Sequence, residues 1–408
     1  MTDAQSFGLL VLVVAAAGMA AIASHRLSVL LRIPAAALFL AAAALAALVV
    51  PAVHAPPLRT VDRLVSVALV VILFDGGMQI GRRRFRTAAS TIGFVGVVGT
   101  FATTAALAAL AHLLFGIEWY LAVLLGTAVA PTDPAVVFSV LGQRELAGRG
   151  GTILEGESGA NDPVGIALMS SLLAAGGLGA NAFGHVAGEF FLQMLVGGAI
   201  GVVGGRVLLW VLQTAPLPDE GLHPLRTLAA SMLLFGVATV AHGSGFLAVF
   251  LAGIVLGDGP LPYERRIRRF HSSLASLGEI VAFVALGLTV DLHVLTRHDV
   301  WVPGLVLGVL LAAVVRPLVI GACLAGVRLP RNERAFVLFA GLKGAVPLLL
   351  GSYLLATHVR QAERLFGIVV VIVALSVVAQ GGLVPTAVRR LGLAVRPGDP
   401  DATDVTDR

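Results

Sequence analysis

Eight consecutive residues concentrate polar chemistry in an otherwise apolar stretch: Gly156-Glu157-Ser158-Gly159-Ala160-Asn161-Asp162-Pro163. They carry two carboxylates, a hydroxyl and an amide, and apolar sequence resumes at once over residues 164–175. On a helix, Glu157 and Asp162 are five apart and point about 140° away from each other, so they do not face one small cavity. Ser158 and Asp162 are four apart and share a face. A carboxylate joined by hydroxyl and carbonyl oxygens, without sulfur or imidazole, is the chemistry of a hard-cation site. Thr132, within Pro131-Thr132-Asp133-Pro134, is placed to add an oxygen, and Asp75 a second carboxylate at the edge. Glu157 then needs a partner of its own. Arg316, which precedes Pro317, reads as the one intramembrane arginine, so the expected scaffold is a Glu157–Arg316 ion pair.

Composition says where these groups must sit. The chain has 408 residues, 58% hydrophobic and only 12% charged, with a mean hydropathy of +0.95. An average soluble domain is roughly 45–50% apolar and about 25% charged, so this is the composition of a polytopic membrane protein. A β-barrel would need short alternating segments, whereas the apolar runs here are long and unalternating. Its 48 glycines fit close helix packing. The single cysteine, Cys323, excludes an intramolecular disulfide framework and reads as a small apolar side chain. An ionisable group at membrane depth is costly and by default functional.

Thirteen candidate spans follow from runs of about 20 apolar residues: 7–23, 29–50, 62–80, 88–115, 119–141, 152–176, 186–213, 225–242, 244–257, 273–290, 300–325, 334–356 and 365–390. The N-terminus lacks a basic region before the first run and contains Asp3, so that run reads as a span rather than a cleaved signal. With the N-terminus outside and the spans alternating, twenty-one arginines fall on the inner side and five on the outer. That segregation places the C-terminus in the cytoplasm of a cell (inner) membrane protein. It also explains the net charge of +5 without nucleic acid as a partner. Glu279 reads as a cytoplasmic-side charge beside the Arg265 to Arg269 cluster. Residues 1–393 form one transmembrane domain, and 394–408 read as a short disordered tail.

Two elements recur at nearly one offset. Phe74-Asp75-Gly76-Gly77 is faintly echoed by Leu286-Gly287-Leu288, and Pro131-Thr132-Asp133-Pro134 by Gly341-Leu342-Lys343-Gly344-Ala345-Val346-Pro347. The offset covers seven spans, an odd number, which inverts the second copy in the bilayer. Matching helix interruptions in inverted copies point to a secondary transporter's binding site. Prolines and glycines should open the fifth span (119–141) and the twelfth (334–356) near mid-membrane. Asp133 is suited to the positive N-terminal ends exposed there and Lys343 to the negative C-terminal ends.

Together these motifs resemble the monovalent cation/proton antiporters, and within them the NhaP-type sodium or potassium/proton exchangers. The resemblance runs through all thirteen spans. It implies an all-α inverted-repeat antiporter fold with two crossed discontinuous helices, a core moving against a dimerisation domain, and a homodimer in the lipid bilayer. It further implies that Asp162 binds the ion and the proton, that Thr132, Ser158 and Asp75 are oxygen ligands, and that Asn161 steadies the site. The place of Asn161 holds an aspartate in electrogenic relatives, which implies one-for-one exchange of Na+ or K+ for H+. No cofactor and no enzymatic activity are implied. Two rivals remain at this point: a cation channel, and an intramembrane hydrolase. The hydrolase is disfavoured because Ala160 stands where a nucleophile elbow needs glycine and no histidine base accompanies it.

Overall fold

The computed structural model describes residues 19, 34–49, 57–141, 144–146, 148–179, 182–215, 217–295 and 298–397. The predicted first span, 7–23, lies outside them apart from Met19. In chain order the elements are α1 (Ala35–Val49), α2 (Leu58–Phe94), a π-helical turn (Val95–Gly99), α3 (Thr100–Phe115), α4 (Trp119–Val129), α5 (Pro134–Leu141), β1 (Arg144–Leu146) and α6 (Arg149–Ala175). Then come α7 (Ala182–Thr214), α8 (Leu222–Val240), α9 (Gly245–Gly257), α10 (Glu264–Gly287), α11 (Leu292–Leu295), α12 (His298–Leu310), a second π-helical turn (Leu311–Val315) and α13 (Arg316–Cys323). The last are α14 (Arg331–Phe339), α15 (Ala345–Ala356), α16 (Ala362–Leu375), a third π-helical turn (Ser376–Gln380), α17 (Gly381–Arg390) and β2 (Val395–Pro397). The fold is all-α and multi-pass. Its sole strand pairing among the described residues is the antiparallel ladder of β1 with β2, Leu146 opposite Val395. Part of the stretch expected to be an unstructured tail is thus paired.

Apolar length decides which helices cross a bilayer. Six helical stretches among the described residues are long and apolar enough to do so, including 58–115, 182–214 and 362–390. α4, α5, α14 and α15 have 11, 8, 9 and 12 residues. At 1.5 Å per residue each is only about 12–18 Å long and cannot span the hydrocarbon core alone. They pair end to end across the breaks at residues 130–133 and 340–344. The interruptions expected in the fifth and twelfth spans are therefore present as two half-helices each. Large apolar side chains on α7, such as Phe183, Leu195 and Trp210, face outward at 85%, 73% and 62% exposure, as a lipid-facing surface requires.

Two differences from the sequence reading concern helix limits. The predicted spans 62–80 and 88–115 are joined, because α2 runs on through the arginine cluster with a single break at Gly81 (φ 66°). The Asp258 carboxylate accepts from the Arg83 N–H there, and the Arg268 guanidinium donates to the carbonyls of Met78 (2.9 Å) and Gly257. Groups freed by the break are so satisfied from other helices. α10 begins at Glu264, nine residues before the predicted 273, because the basic run is helical although it is not apolar.

Packing depends on backbones that approach closely. α2 lies against α9 and α10, and α7 against α9. A Cβ on Gly253 of α9 would run into the Phe74 carbonyl and stand 3.1 Å from the Met78 nitrogen, while one on Gly77 would meet the Phe250 carbonyl. Gly197, Gly201 and Gly205 of α7, four apart, meet Ser244, Ala248 and Ala252 of α9 in the same way. Gly253→Val should therefore lower stability by about 1–3 kcal/mol through overpacking. Gly76→Ala, where no atom lies within 4 Å of the added methyl, should stay within about 0.5 kcal/mol. Thermal unfolding of the two variants in detergent checks the contrast.

Candidate functional site

The two broken spans meet at the breaks themselves. Asp133 N–H donates to the Leu342 carbonyl (2.8 Å), which ties one interruption directly to the other. α5 and α15 both start here, so two helix N-termini with unsatisfied N–H groups converge. The Asp133 carboxylate accepts from the Ala135 N–H (2.9 Å) and also from the backbone N–H groups of Val136 and Ala345. One side chain caps both half-helices. Gly344 is required beside it, since any Cβ there would occupy the space of the Asp133 carboxylate.

The opposite ends are handled by cations. Lys343 Nζ donates to the carbonyls of Ala130 and Pro131, both at 2.9 Å, at the C-terminal end of α4. Its backbone N–H donates to Ser376 Oγ (3.0 Å) in the third π-helical turn. The C-terminal carbonyls of α14 are met by other groups: Val337 accepts from Arg316 Nη2 (3.0 Å) and Phe339 from the Gln380 side chain. Lys343 is thus placed against one of the two helix C-termini, not both. Lys343 is 2% exposed, so these carbonyls are its means of avoiding an uncompensated buried charge.

α6 crosses beside these ends and carries the polar octet. Glu157 and Arg316 form a fork-to-fork pair, Nη1 to Oε1 at 2.7 Å and Nη2 to Oε2 at 3.0 Å, at 2% and 4% exposure. Gly341 leaves the room that the guanidinium fills. Asn161 holds the break between α4 and α5 at two points: its Nδ2 donates to Thr132 Oγ1 (2.8 Å), and its Oδ1 accepts from the Thr132 N–H (3.4 Å). Ser158 Oγ donates to the Thr132 carbonyl (2.6 Å). Pro163 has no N–H, which leaves the Gly159 carbonyl without its helical donor.

Asp162 is the carboxylate left open at the crossing. It is buried at 7% exposure, and its Oδ1 has no hydrogen-bond partner among the described residues. The charged groups that act on it are Asp133 and Lys343. Thr132, Ser158, Asn161, Asp133 and Lys343 are therefore brought together around Asp162, and Glu157 and Arg316 line a small cavity with Asn161 and Lys343. Asp75 keeps different company. Its Oδ2 accepts from Gln79 Nε2 (2.6 Å), the charge acting on it is Arg268, and the Phe250 ring packs against Gly159 between α2 and α6. The arrangement offers a partner-free carboxylate oxygen to a small cation or a proton; of the framing groups, Arg316 Nε also lacks a hydrogen-bond partner among the described residues.

Sequence reasoning missed three contributors. Ser376 and Gln380 support the second break from a helix with no motif of its own. Glu279 was read near the inner surface, but it stands about two-thirds of the way along α10 and within electrostatic reach of Asp133. The available signal was its place directly before the apolar run Ile280 to Leu286, inside the predicted span 273–290.

Known proteins are similar to this chain in sequence and fold. The family model described as sodium/hydrogen exchanger, transmembrane, matches residues 10–390. The K(+)/H(+) antiporter NhaP of Alkalimonas amylolytica is 33% identical over 341 residues, covering 83% of this chain and 59% of that protein. The K(+)/H(+) antiporter NhaP2 of Shewanella oneidensis is 30% identical over 336 residues, covering 81% and 58%. The chain so spans somewhat under three-fifths of the length of these relatives. The sodium proton antiporter MjNhaP1 from Methanocaldococcus jannaschii has the same fold, with a TM-score of 0.73 at 21% identity over 93% of this chain and 100% of that one.

Removing one partner of the buried Glu157–Arg316 pair strands the other. Arg316→Met or Glu157→Leu alone should cost about 3–5 kcal/mol, and the double variant Glu157→Leu/Arg316→Met should recover much of that loss. A double-mutant cycle on thermal unfolding measures it, and Arg316→Lys should not substitute, because lysine lacks the planar fork. The geometry and the matches agree, and the chain belongs to the sodium/hydrogen exchanger family.

Proposed function

We propose that the chain is a secondary active antiporter that exchanges a monovalent cation, Na+ or K+, for H+ across the cell membrane. The observation that carries this reading is Asp162, a buried carboxylate with an unpartnered oxygen at the meeting point of two broken helices. A carboxylate withdrawn from water needs either a proton or a cation, and each excludes the other. If either loaded form can change its exposure and the bare charged form cannot, exchange becomes obligatory. Thr132, Ser158 and the freed Gly159 carbonyl supply neighbouring oxygens. Asn161 fixes the Thr132 break, Asp133 and Lys343 cap the half-helices, and Glu157 with Arg316 holds α6 in place. Asp75 serves the approach to the site from α2.

One titratable carboxylate at the binding point supports one-for-one, electroneutral exchange. The crossing of two matched breaks supports an inverted repeat, and the segregation of arginines supports an outside N-terminus and a cytoplasmic C-terminus. A homodimer follows from the family resemblance. Relatives are named for potassium and for sodium exchange, and oxygen ligands alone suit either ion.

Everted vesicles carrying a preformed proton gradient and a quenched pH-sensitive dye provide the test. Wild-type protein should dequench on addition of Na+ or K+, and Asp162→Asn should reduce the rate at least a hundredfold while remaining folded. Wild-type-like dequenching by Asp162→Asn sinks the assignment, and cation flux without proton counterflow identifies a channel instead. The rate should also be indifferent to an imposed membrane potential.

A further inference from the structure

Beside the break at Gly81 lies a cavity of about 710 Å³ that the exchange site does not use. That volume is within the range of small-ligand pockets. Its walls carry four guanidinium groups and two carboxylates: Arg82, Arg83 and Arg86 of α2, Asp258 after α9, and Glu264 and Arg268 of α10. Both carboxylates are already engaged. Asp258 accepts from the Arg83 backbone N–H and fills the space that a side chain on Gly81 would need. Glu264 Oε1 accepts from Arg268 Nε (2.7 Å), while the other nitrogens of Arg268 donate to the Met78 (2.9 Å) and Gly257 carbonyls. Arg268 is thereby built into the wall. The guanidinium groups of Arg82, Arg83 and Arg86 differ: they make no hydrogen bond or ion pair among the described residues. Arg84, between them in sequence, turns instead to α6, where its Nη2 donates to Thr152 Oγ1 (3.1 Å).

Sign and position fix the chemistry of an occupant. Four guanidinium groups outnumber two engaged carboxylates, so the cavity suits an anion. Apolar sequence ends at Ile80 and resumes at Ala88, which puts the cavity at a bilayer boundary, at headgroup depth. The planar fork of arginine matches two oxygens of a phosphate, and basic pockets between helix ends at a membrane surface take phosphate-bearing headgroups. We infer that this cavity binds a phosphate group, carried by an anionic phospholipid headgroup or by a soluble phosphate ester. The walls belong to both parts of α2. Before Gly81 it packs on α9, with Gly77 against the Phe250 carbonyl; after Gly81 it packs on α6, with Ile92 against Gly156. A phosphate held by Arg82, Arg83 and Arg86 against the wall that Arg268 forms therefore bridges the break. The site is separate from Asp162, and its occupancy does not depend on the exchange reading.

Native mass spectrometry of the purified chain in detergent micelles tests this, at one ionic strength, with phosphatidylglycerol, phosphatidylcholine, glycerol 3-phosphate and inorganic phosphate as probes. Wild-type protein should retain phosphatidylglycerol about tenfold better than phosphatidylcholine, whose phosphate carries no net headgroup charge. Arg82→Gln/Arg86→Gln should weaken that retention about tenfold, and the milder Arg86→Gln about threefold. Arg82 and Arg86 are exposed, so both variants should fold. Arg389→Gln/Arg390→Gln removes two exposed charges from the end of α17, outside the cavity, and should stay within about twofold of wild type. Retention of glycerol 3-phosphate or inorganic phosphate with the same dependence on Arg82 and Arg86 supports the site and assigns it to a soluble phosphate. Retention unchanged in Arg82→Gln/Arg86→Gln, equal loss in the two double variants, or no retention of any probe overturns it. No transport is measured, so failure of the exchange reading and failure of this one are told apart.

Discussion

Four helix ends meet inside this protein, and their neutralisation is the constraint on which the rest depends. Each half-helix exposes backbone groups that water would satisfy at a surface. At the crossing there is little room for water, so side chains take its place. Asp133 collects the N–H groups of α5 and α15, Lys343 collects the carbonyls of α4, and Arg316 with Gln380 collects those of α14. A single charge in mid-membrane costs at least about 2.5–3.5 kcal/mol on insertion scales. Set against opposing helix termini, the same charges become the means of keeping two breaks open.

Open breaks have a use. A continuous helix hides its backbone groups within itself, whereas the break between α4 and α5 presents Thr132 to α6, where Ser158 and Asn161 engage it at three points. This engagement is what leaves Asp162 distinctive. Its neighbours on α6 are committed to the frame, Glu157 to Arg316, Ser158 and Asn161 to Thr132, and one oxygen of Asp162 remains unclaimed among the described residues. In the exchange proposed above, this carboxylate trades a proton for a cation while Glu157, Ser158 and Asn161 stay committed to the scaffold.

The three π-helical turns belong to the same arrangement. Such turns are uncommon and concentrate at functional sites. One, at 95–99, places Gly96 against Ala160 of α6; the second, at 311–315, leads directly into Arg316; the third, at 376–380, supplies Ser376 and Gln380 to the second break. Each widens the helix by one residue where a neighbour must reach inward. Glycines at 341 and 344 do the complementary work by removing the side chains that would block Arg316 and Asp133.

The sequence by itself determined the features that depend on neighbouring residues. Apolar runs marked the spans, Pro131, Pro134, Gly344 and Pro347 marked the breaks, and the angular separation of Glu157 from Asp162 divided α6 into two faces. Elimination among buried charges paired Glu157 with Arg316, because a membrane interior offers few alternatives. Tertiary structure alone decided the rest. Hydropathy ended the tenth span's inner end at 273 because arginines depress a window average, yet the helix begins at Glu264 and brings Glu279 within electrostatic reach of Asp133. Asp75 gained the Arg268 charge from α10, a helix far along the chain, beside its local bond from Gln79. Partners such as Asp258 for Gly81, or Gln380 for Phe339, lie 41 to 177 positions away. A local pattern encodes a group's need for a partner; only the packed chain determines which partner meets it.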